Sequence, residues 1–260
     1  MKRAEGSVGK RYGELRAAVR EQLAVNTDDT GWRVGGKPAQ LMAFVSPTLS
    51  VYQVRSQHRN EEVRELLPAD FAGVMNCDRG RAYDSEEMRS IKQQKCLSHL
   101  IRNASEVERK KTGPAKRFSV ALKDILRLAI SLGANRKEIE AVDYTGQVAE
   151  LDGQLTFHLR DRIFRDRDNQ RLLNGIGTQH DRGHILRFLS IDGIDPTNNR
   201  AERDLRPAVI ARKVSQCSKN ERGARAFEAF ASVLNTVRKT NPSGIVHDLT
   251  TLFGRQPTPT

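Results

Sequence analysis

Cysteine is scarce in this chain, and so are long apolar runs. The 260 residues hold three cysteines, Cys77, Cys96 and Cys217. They are far apart and odd in number, which excludes the disulfide framework of a small secreted domain and suits a reducing compartment. The N-terminus, MKRAEGSVGKRYGELRAAVREQLAV, lacks the apolar core of a signal peptide, and no stretch approaches the roughly 20 residues needed to span a bilayer. There is no internal repeat and no low-complexity tract. Several chemistries are also unrepresented. No nucleophile elbow is present, Gly35-Gly36-Lys37 lacks the spacing of a phosphate-binding loop, and no second cysteine or histidine pair completes the half zinc site of Cys96 and His99. A soluble, intracellular protein is expected.

Positive charge is what the chain has in excess. Lysine and arginine number 44 against 32 acids, a formal charge of +12, and the basic residues run through the whole length. A polyanionic partner follows, nucleic acid before membrane because no basic amphipathic anchor stands out. Composition alone also fits a soluble protein that is merely basic. The length suffices for one substantial core, or one core plus a subdomain.

Leu15, Val19 and Leu23 predict a helix over Tyr12 to Leu23. Val25 to Val34, Gln40 to Val45 and Leu49 to Val54 read as strands, with Gly35-Gly36 and Ser46-Pro47 as turns, so a three-stranded antiparallel meander is expected. Asn60 to Leu67 is a short helix closed by Pro68. Phe71 to Asp78 is a buried strand tipped by Asp78, and Gln94 to Ser98 is a further strand. This order predicts an α/β fold with a mixed sheet. From Ile101 to Ser190 the pattern turns helical. Phe118, Leu122, Ile125, Ala129 and Leu132 mark one amphipathic face, and Leu151 to Leu173 marks another helix. Asn198 to Arg206, stopped or kinked by Pro207, and Arg222 to Lys239 read as closing helices. The expected organisation is a first α/β part at 1–104, a helical insertion at 105–192, C-terminal helices completing the domain at 193–253, and a flexible tail at 254–260. Trp32 is expected to be buried beside its strand.

Three acids stand out by placement: Asp28 in the first strand, Asp78 at the tip of the fourth, and Glu202 one turn into a helix after the insertion. Gathered together, they would need cations to neutralise them. Magnesium prefers hard oxygen ligands, and two ions about 3.5 to 4 Å apart can activate an attacking oxygen and stabilise a leaving one. That is the chemistry of phosphodiester transfer. Asp29 competes with Asp28 for this role, and Asp204 competes with Glu202. Around Glu202 the sequence reads PTNNRAERDLRP, with Thr197 or Asn198 as the helix N-cap. Asn198 and Asn199 lie about one turn from Glu202 and are able to orient it or touch a phosphate. Arginine binds phosphate bidentately, so Arg200, Arg203 and Arg206, with Arg212 and Lys213 further on, are candidate DNA-backbone contacts. A surface helix whose acids and arginines pair with each other fits the same stretch.

Five stretches resemble bacterial transposases of the insertion sequence 66 family: DDTGWRV, FAGVMNCDRGRAY, KCLSHLIRN, PTNNRAERDLRPAVIARKVS and ERGARAFEAFASVL. The resemblance runs from about Tyr12 to Phe253. It implies a DDE-type catalytic domain on a ribonuclease H-like fold, with Asp28, Asp78 and Glu202 as catalytic and metal-binding triad, split by a helical insertion. It implies two Mg2+ or Mn2+ ions as cofactors. It also implies DNA, both transposon ends and target, as partner, a homo-oligomer on that DNA with possible accessory proteins, no membrane, and a cytoplasmic, nucleoid-associated location. Asp29 stands where the family usually has glutamate. Cys96-Leu97-Ser98-His99 replaces its Cys-Trp-Ala-His pattern, leaving His99 as possible active-site support. Family members usually carry an N-terminal half with a cysteine-rich, DNA-recognising segment, and none precedes Met1. A truncated copy, a reading frame without its start, or a fragment acting with another polypeptide are the alternatives this leaves. Beside the transposase reading stand a non-catalytic DNA-binding remnant or regulator and a ribonuclease H-like nuclease.

Overall fold

A computed structural model describes residues 2–160, 162–215 and 217–253. The expected flexible tail, 254–260, lies outside the described residues. The described residues divide into two compact units, one drawn from Met1–Met75, Gly80–Lys92 and Asn199–Thr260, the other from Asn76–Arg79 and Gln93–Asn198.

The expected α/β fold is present, built on a five-stranded mixed sheet of order β3-β2-β1-β4-β5. Its strands are β1 (Ala24–Val34), β2 (Lys37–Val45), β3 (Ser50–Arg55), β4 (Val74–Cys77) and β5 (Lys92–Lys95). The first three form the predicted meander. β1 pairs antiparallel with β2 from Asn26↔Val45 to Val34↔Lys37, and β2 with β3 from Gln40↔Arg55 to Val45↔Ser50. Gly35 and Gly36 close the first hairpin at φ 58° and 80°. A two-residue loop with both φ values positive matches the twist of the flanking strands, and glycine takes it without a Cβ clash.

Directly opposed residues of paired strands share a face, and successive residues alternate. Asn26, Asp28, Thr30 and Trp32 therefore stand on the same face as Val45, Ala43, Leu41 and Ala39. That face forms a core with Ala201, Leu205 and Ala208 of α9 (Asn199–Ser215) and Ala224 of α10 (Glu221–Thr240). Spacings of four and three place the α9 residues on one stripe. Trp32 is buried as expected, its ring centroid 4.8 Å from that of Phe227 and its indole N–H donating to Ser218 Oγ at 3.1 Å. Asn220 caps α10 by accepting from the Gly223 N–H at 2.9 Å.

The first unit also holds α1 (Lys2–Ala18), α2 (Asn60–Arg64), α3 (Arg81–Asp84) and α11 (Ile245–Phe253). α1 starts ten residues before the predicted Tyr12, and Leu23 is 60% exposed beyond its end. The buried Val8 lies one heptad before Leu15, among glycines that hide the period. α9 is not stopped by Pro207 but runs through it. Proline removes one N–H, yet its ring is on the exposed side while Leu205 and Ala208 carry the apolar stripe across.

The second unit is helical: α4 (Leu97–Arg109), α5 (Arg117–Ala134), α6 (Ala141–Leu159), α7 (Arg167–Asp181) and α8 (Arg187–Ser190). The strand expected over Gln94–Ser98 sits two residues earlier, because Leu97, Leu100 and Ala104 bury at helical spacing and draw Leu97 into α4. The single helix expected over Leu151–Leu173 is instead two. α6 ends at Leu159, and Asp166 caps α7 by accepting from the Asn169 N–H at 2.9 Å. Among the described residues no helix is long and apolar enough to cross a membrane.

Candidate active site

The acids of β1 are sorted by the pleat. Asp28 stands opposite Ala43, on the face covered by α9, whereas Asp29 stands opposite Met42 on the other face. Asp29 Oδ1 lies 2.9 Å from His58 Nδ1, and the His58 ring meets Tyr83 edge-on at 5.1 Å. Asp29 thus has a structural partner, and Asp28 is the acid turned towards the helix.

The acids of α9 are sorted by the helical period. Ala201 and Leu205 define the buried stripe, and Glu202 flanks it with Leu205, Arg206 and Val209 along one side. Asp204 points to the other flank. Its carboxylate accepts from Ser50 Oγ at 2.5 Å and pairs with Lys239 Nζ at 2.7 Å, while its backbone carbonyl accepts from Tyr52 OH at 2.7 Å. Burial pulls the Lys239 ammonium below the usual lysine range, and the Asp204 carboxylate opposes that pull. Asp204 therefore ties α9 to β3 and α10.

Asp28 and Glu202 line a single cavity of about 290 Å3 within the first unit. Thr30, Leu205, Arg206 and Val209 complete most of its wall, and Asp29 touches the lining with its carboxylate held by His58. Two carboxylates and a threonine hydroxyl are a hard-oxygen donor set that suits magnesium or manganese. The adjacent Arg206 offers a cation to an anionic substrate.

Asp78 belongs to the second unit, directly after β4. Its backbone carbonyl accepts from Lys95 Nζ at 3.0 Å, and the same ammonium donates to Cys77 Sγ at 3.4 Å. Lys95 is fully buried on β5. His99 is half-buried in the first turn of α4.

The candidate DNA contacts separate by exposure. Asn199, Arg203, Arg206 and Lys213 are exposed, and Arg200 is half-buried. Asn198 is fully buried just before α9, its backbone N–H donating to Cys96 Sγ at 3.1 Å. Arg212 is half-buried and donates through Nη1 to Thr30 Oγ1 at 3.1 Å and to the Gly31 carbonyl.

A family model described as Transposase IS66 family matches residues 1–226. The chain belongs to the IS66 transposase family. No curated protein and no solved structure matches it. The matched span contains Asp28, Asp78 and Glu202 together with all the exposed arginines of α9. Transposases act on DNA, and the DDE class generally uses divalent metals. Two side chains escaped the sequence reading of this IS66 member. His58 carried no signal, since its role depends on a strand register. Lys95 stood in the KCLSHLIRN stretch, where a charged residue inside the strand expected over Gln94–Ser98 was the available clue.

Proposed function

We propose that the chain is the catalytic part of a DDE-type transposase, with Asp28, Asp78 and Glu202 as its metal-binding triad. The observation that carries the reading is the shared cavity of Asp28 and Glu202, brought together from positions 174 residues apart (202 less 28) by β1 and α9. Asp78 enters from the sequence, as the acid that ends FAGVMNCD, and Lys95 fixes its main chain.

In this reading a water first attacks the phosphodiester at the element end and frees a 3′ hydroxyl. That hydroxyl then attacks a target phosphodiester, forming the new bond as the target's own 3′ oxygen departs. Two divalent ions, Mg2+ or Mn2+, when bound, supply Lewis-acid activation and charge stabilisation. The carboxylates of Asp28, Asp78 and Glu202 would hold them. Arg206, in the cavity wall, holds a non-bridging phosphate oxygen, and Arg203 and Arg200 take neighbouring phosphates, positioning the backbone without reading its sequence. Asn199, three residues before Glu202, orients that carboxylate or takes a phosphate, and Lys213 extends the cationic row. The buried Asn198 is left the part of holding the start of α9. His99 is carried over from the family resemblance as a support of the site.

Cleavage and strand-transfer assays on DNA carrying element ends test the proposal, with wild type beside Asp78→Asn and Glu202→Gln. Cutting and joining in wild type, lost in both variants and in EDTA, is expected. Joining that survives either substitution refutes the triad. Cutting without joining assigns a nuclease, and salt-sensitive binding without cutting assigns a DNA-binding remnant.

A further inference from the structure

Beside the acidic cavity, at the tip of the β1–β2 hairpin, lies a second and larger one of about 950 Å3. Arg33, Arg212 and Lys219 line it, together with Gly31, Gln40 and Cys217, and among the described residues no carboxylate does. None of the three cations is paired with an acid among the described residues. Arg33 donates to the Gly36 carbonyl at 3.2 Å, and Arg212 to Thr30 and Gly31. Unneutralised cations around an open groove focus a positive field.

One wall of the groove is held rigidly. Ser218 bridges to Val34, donates its N–H to the Arg33 carbonyl at 3.0 Å, and accepts from the Gly35 N–H at 2.9 Å. Gly31, Gly35 and Gly36 also line the groove and present no side chain.

The two cavities are consecutive along the same elements. Asp28 and Thr30 line the first, and Gly31 and Arg33 the second. On α9, Glu202 and Arg206 line the first, and Arg212 the second. Arg212 stands at the junction, bonded to Thr30 of one and Gly31 of the other. With Arg33 on the reverse side of the pleat and donating to the Gly36 carbonyl at the hairpin tip, Asp28 and Arg33 are five residues apart along β1, about 17 Å at the rise of an extended chain. That is about five nucleotides of one B-form strand. Trp32, Pro38 and Ala39 also line the groove, but the Trp32 ring is packed on Phe227 and only 4% exposed, so it offers little face for a nucleotide base to stack on. A polymer backbone passing from one cavity to the next fits both the charge and the continuity.

We propose that this groove holds the sugar-phosphate backbone of a DNA strand a few nucleotides from the scissile phosphate, with Arg33, Arg212 and Lys219 as its phosphate contacts. The assignment of direction rests on the catalytic reading of Asp28 and Glu202.

Cys217 makes the groove readable, because it is half-exposed in the lining while Cys77 and Cys96 are buried. The full chain is alkylated with N-ethylmaleimide in EDTA, alone or saturated with a duplex oligonucleotide bearing a single-stranded 3′ overhang. DNA is expected to slow Cys217 alkylation at least about tenfold. The Arg33→Ala/Lys219→Ala double variant is expected to lower the slope of log affinity against log salt by about 1.5 to 2, the loss of two phosphate contacts. An unchanged alkylation rate at saturating DNA, or an unchanged slope, overturns the proposal. Equal protection by inorganic phosphate or a mononucleotide overturns it in favour of a small-anion site. Failure of the catalytic reading looks different: an Asp28→Asn chain that still cuts DNA, whatever the footprint on Cys217.

Discussion

Asp28 and Asp29 are neighbours in the chain and face opposite sides of β1, one towards α9 and the other towards His58. Asp28→Asn removes a carboxylate from the cavity shared with Glu202 and is expected to lower DNA cleavage about 10^3-fold, several kcal/mol of transition-state stabilisation. Asp29→Asn removes the charge from the contact with His58 and is expected to leave cleavage within about threefold of wild type. Rate measurements under saturating divalent metal check the pair. Equal losses in both variants would contradict the assignment made by the pleat.

Glu202 and Asp204 offer the same contrast on α9. Asp204→Ala strips the partner from a largely buried Lys239 and leaves Ser50 Oγ without its acceptor. Losing one member of a buried pair costs about 3–5 kcal/mol, so a lower urea midpoint is expected, with cleavage retained wherever the variant is folded. Glu202→Gln is expected to keep the midpoint and lose cleavage. Reversal of the two phenotypes would move the catalytic role to Asp204.

The meander was legible because apolar alternation and Gly35-Gly36 both speak locally. The choice between Asp28 and Asp29 was not, since Asn26, Asp28 and Thr30 make the helix-facing side of β1 as polar as its reverse. Only the register against Ala43 and Leu41 resolves it. Glu202 and Asp204 differ by two helical steps, and which one faces the groove depends on Ala201 and Leu205 meeting the sheet. Pro207 reads as a breaker in sequence, yet packing on both sides of it outweighs the lost N–H. The basic groove was invisible for a similar reason: Arg33 and Lys219 are 186 residues apart (219 less 33) and meet because Ser218 bridges to Val34.

Two histidines make the helical unit sensitive to acid. His158 stacks on Phe118 at 4.7 Å, and its Nε2–H donates to the Phe118 carbonyl at 2.9 Å. His180 Nε2 lies 2.7 Å from Thr156 Oγ1. Burial holds both rings below the usual histidine range. The bond to the Phe118 carbonyl opposes that for His158 and Arg162 adds to it, while Asp152 and Asp181 oppose it for His180. The unfolded chain takes these protons near pH 6.5, and the folded chain only at lower pH. Their stabilising effect is complete above about pH 6.5 and is lost as pH falls from there towards the folded values. Thermal melts by circular dichroism at about pH 8 and about pH 5.5 are expected to show a lower midpoint in acid. The drop should shrink in His158→Gln/His180→Gln, and an undiminished drop would place the sensitivity elsewhere.

Trp32, the one tryptophan in the sequence, reports on the wall of the basic groove. Its indole N–H is buried and donates to Ser218 Oγ, the same residue whose backbone fastens the 217–219 segment to the hairpin. Ser218→Ala leaves that buried donor without its protein acceptor, a cost of about 1–3 kcal/mol. Urea unfolding followed by tryptophan emission should register this loss as a lower midpoint with an unchanged m value. Ser218→Thr keeps the hydroxyl and is expected to recover most of the stability. If Ser218→Ala costs less than about 0.5 kcal/mol, water reaches the indole, and the wall is looser than the backbone pairing of Ser218 with Val34 and Gly35 requires.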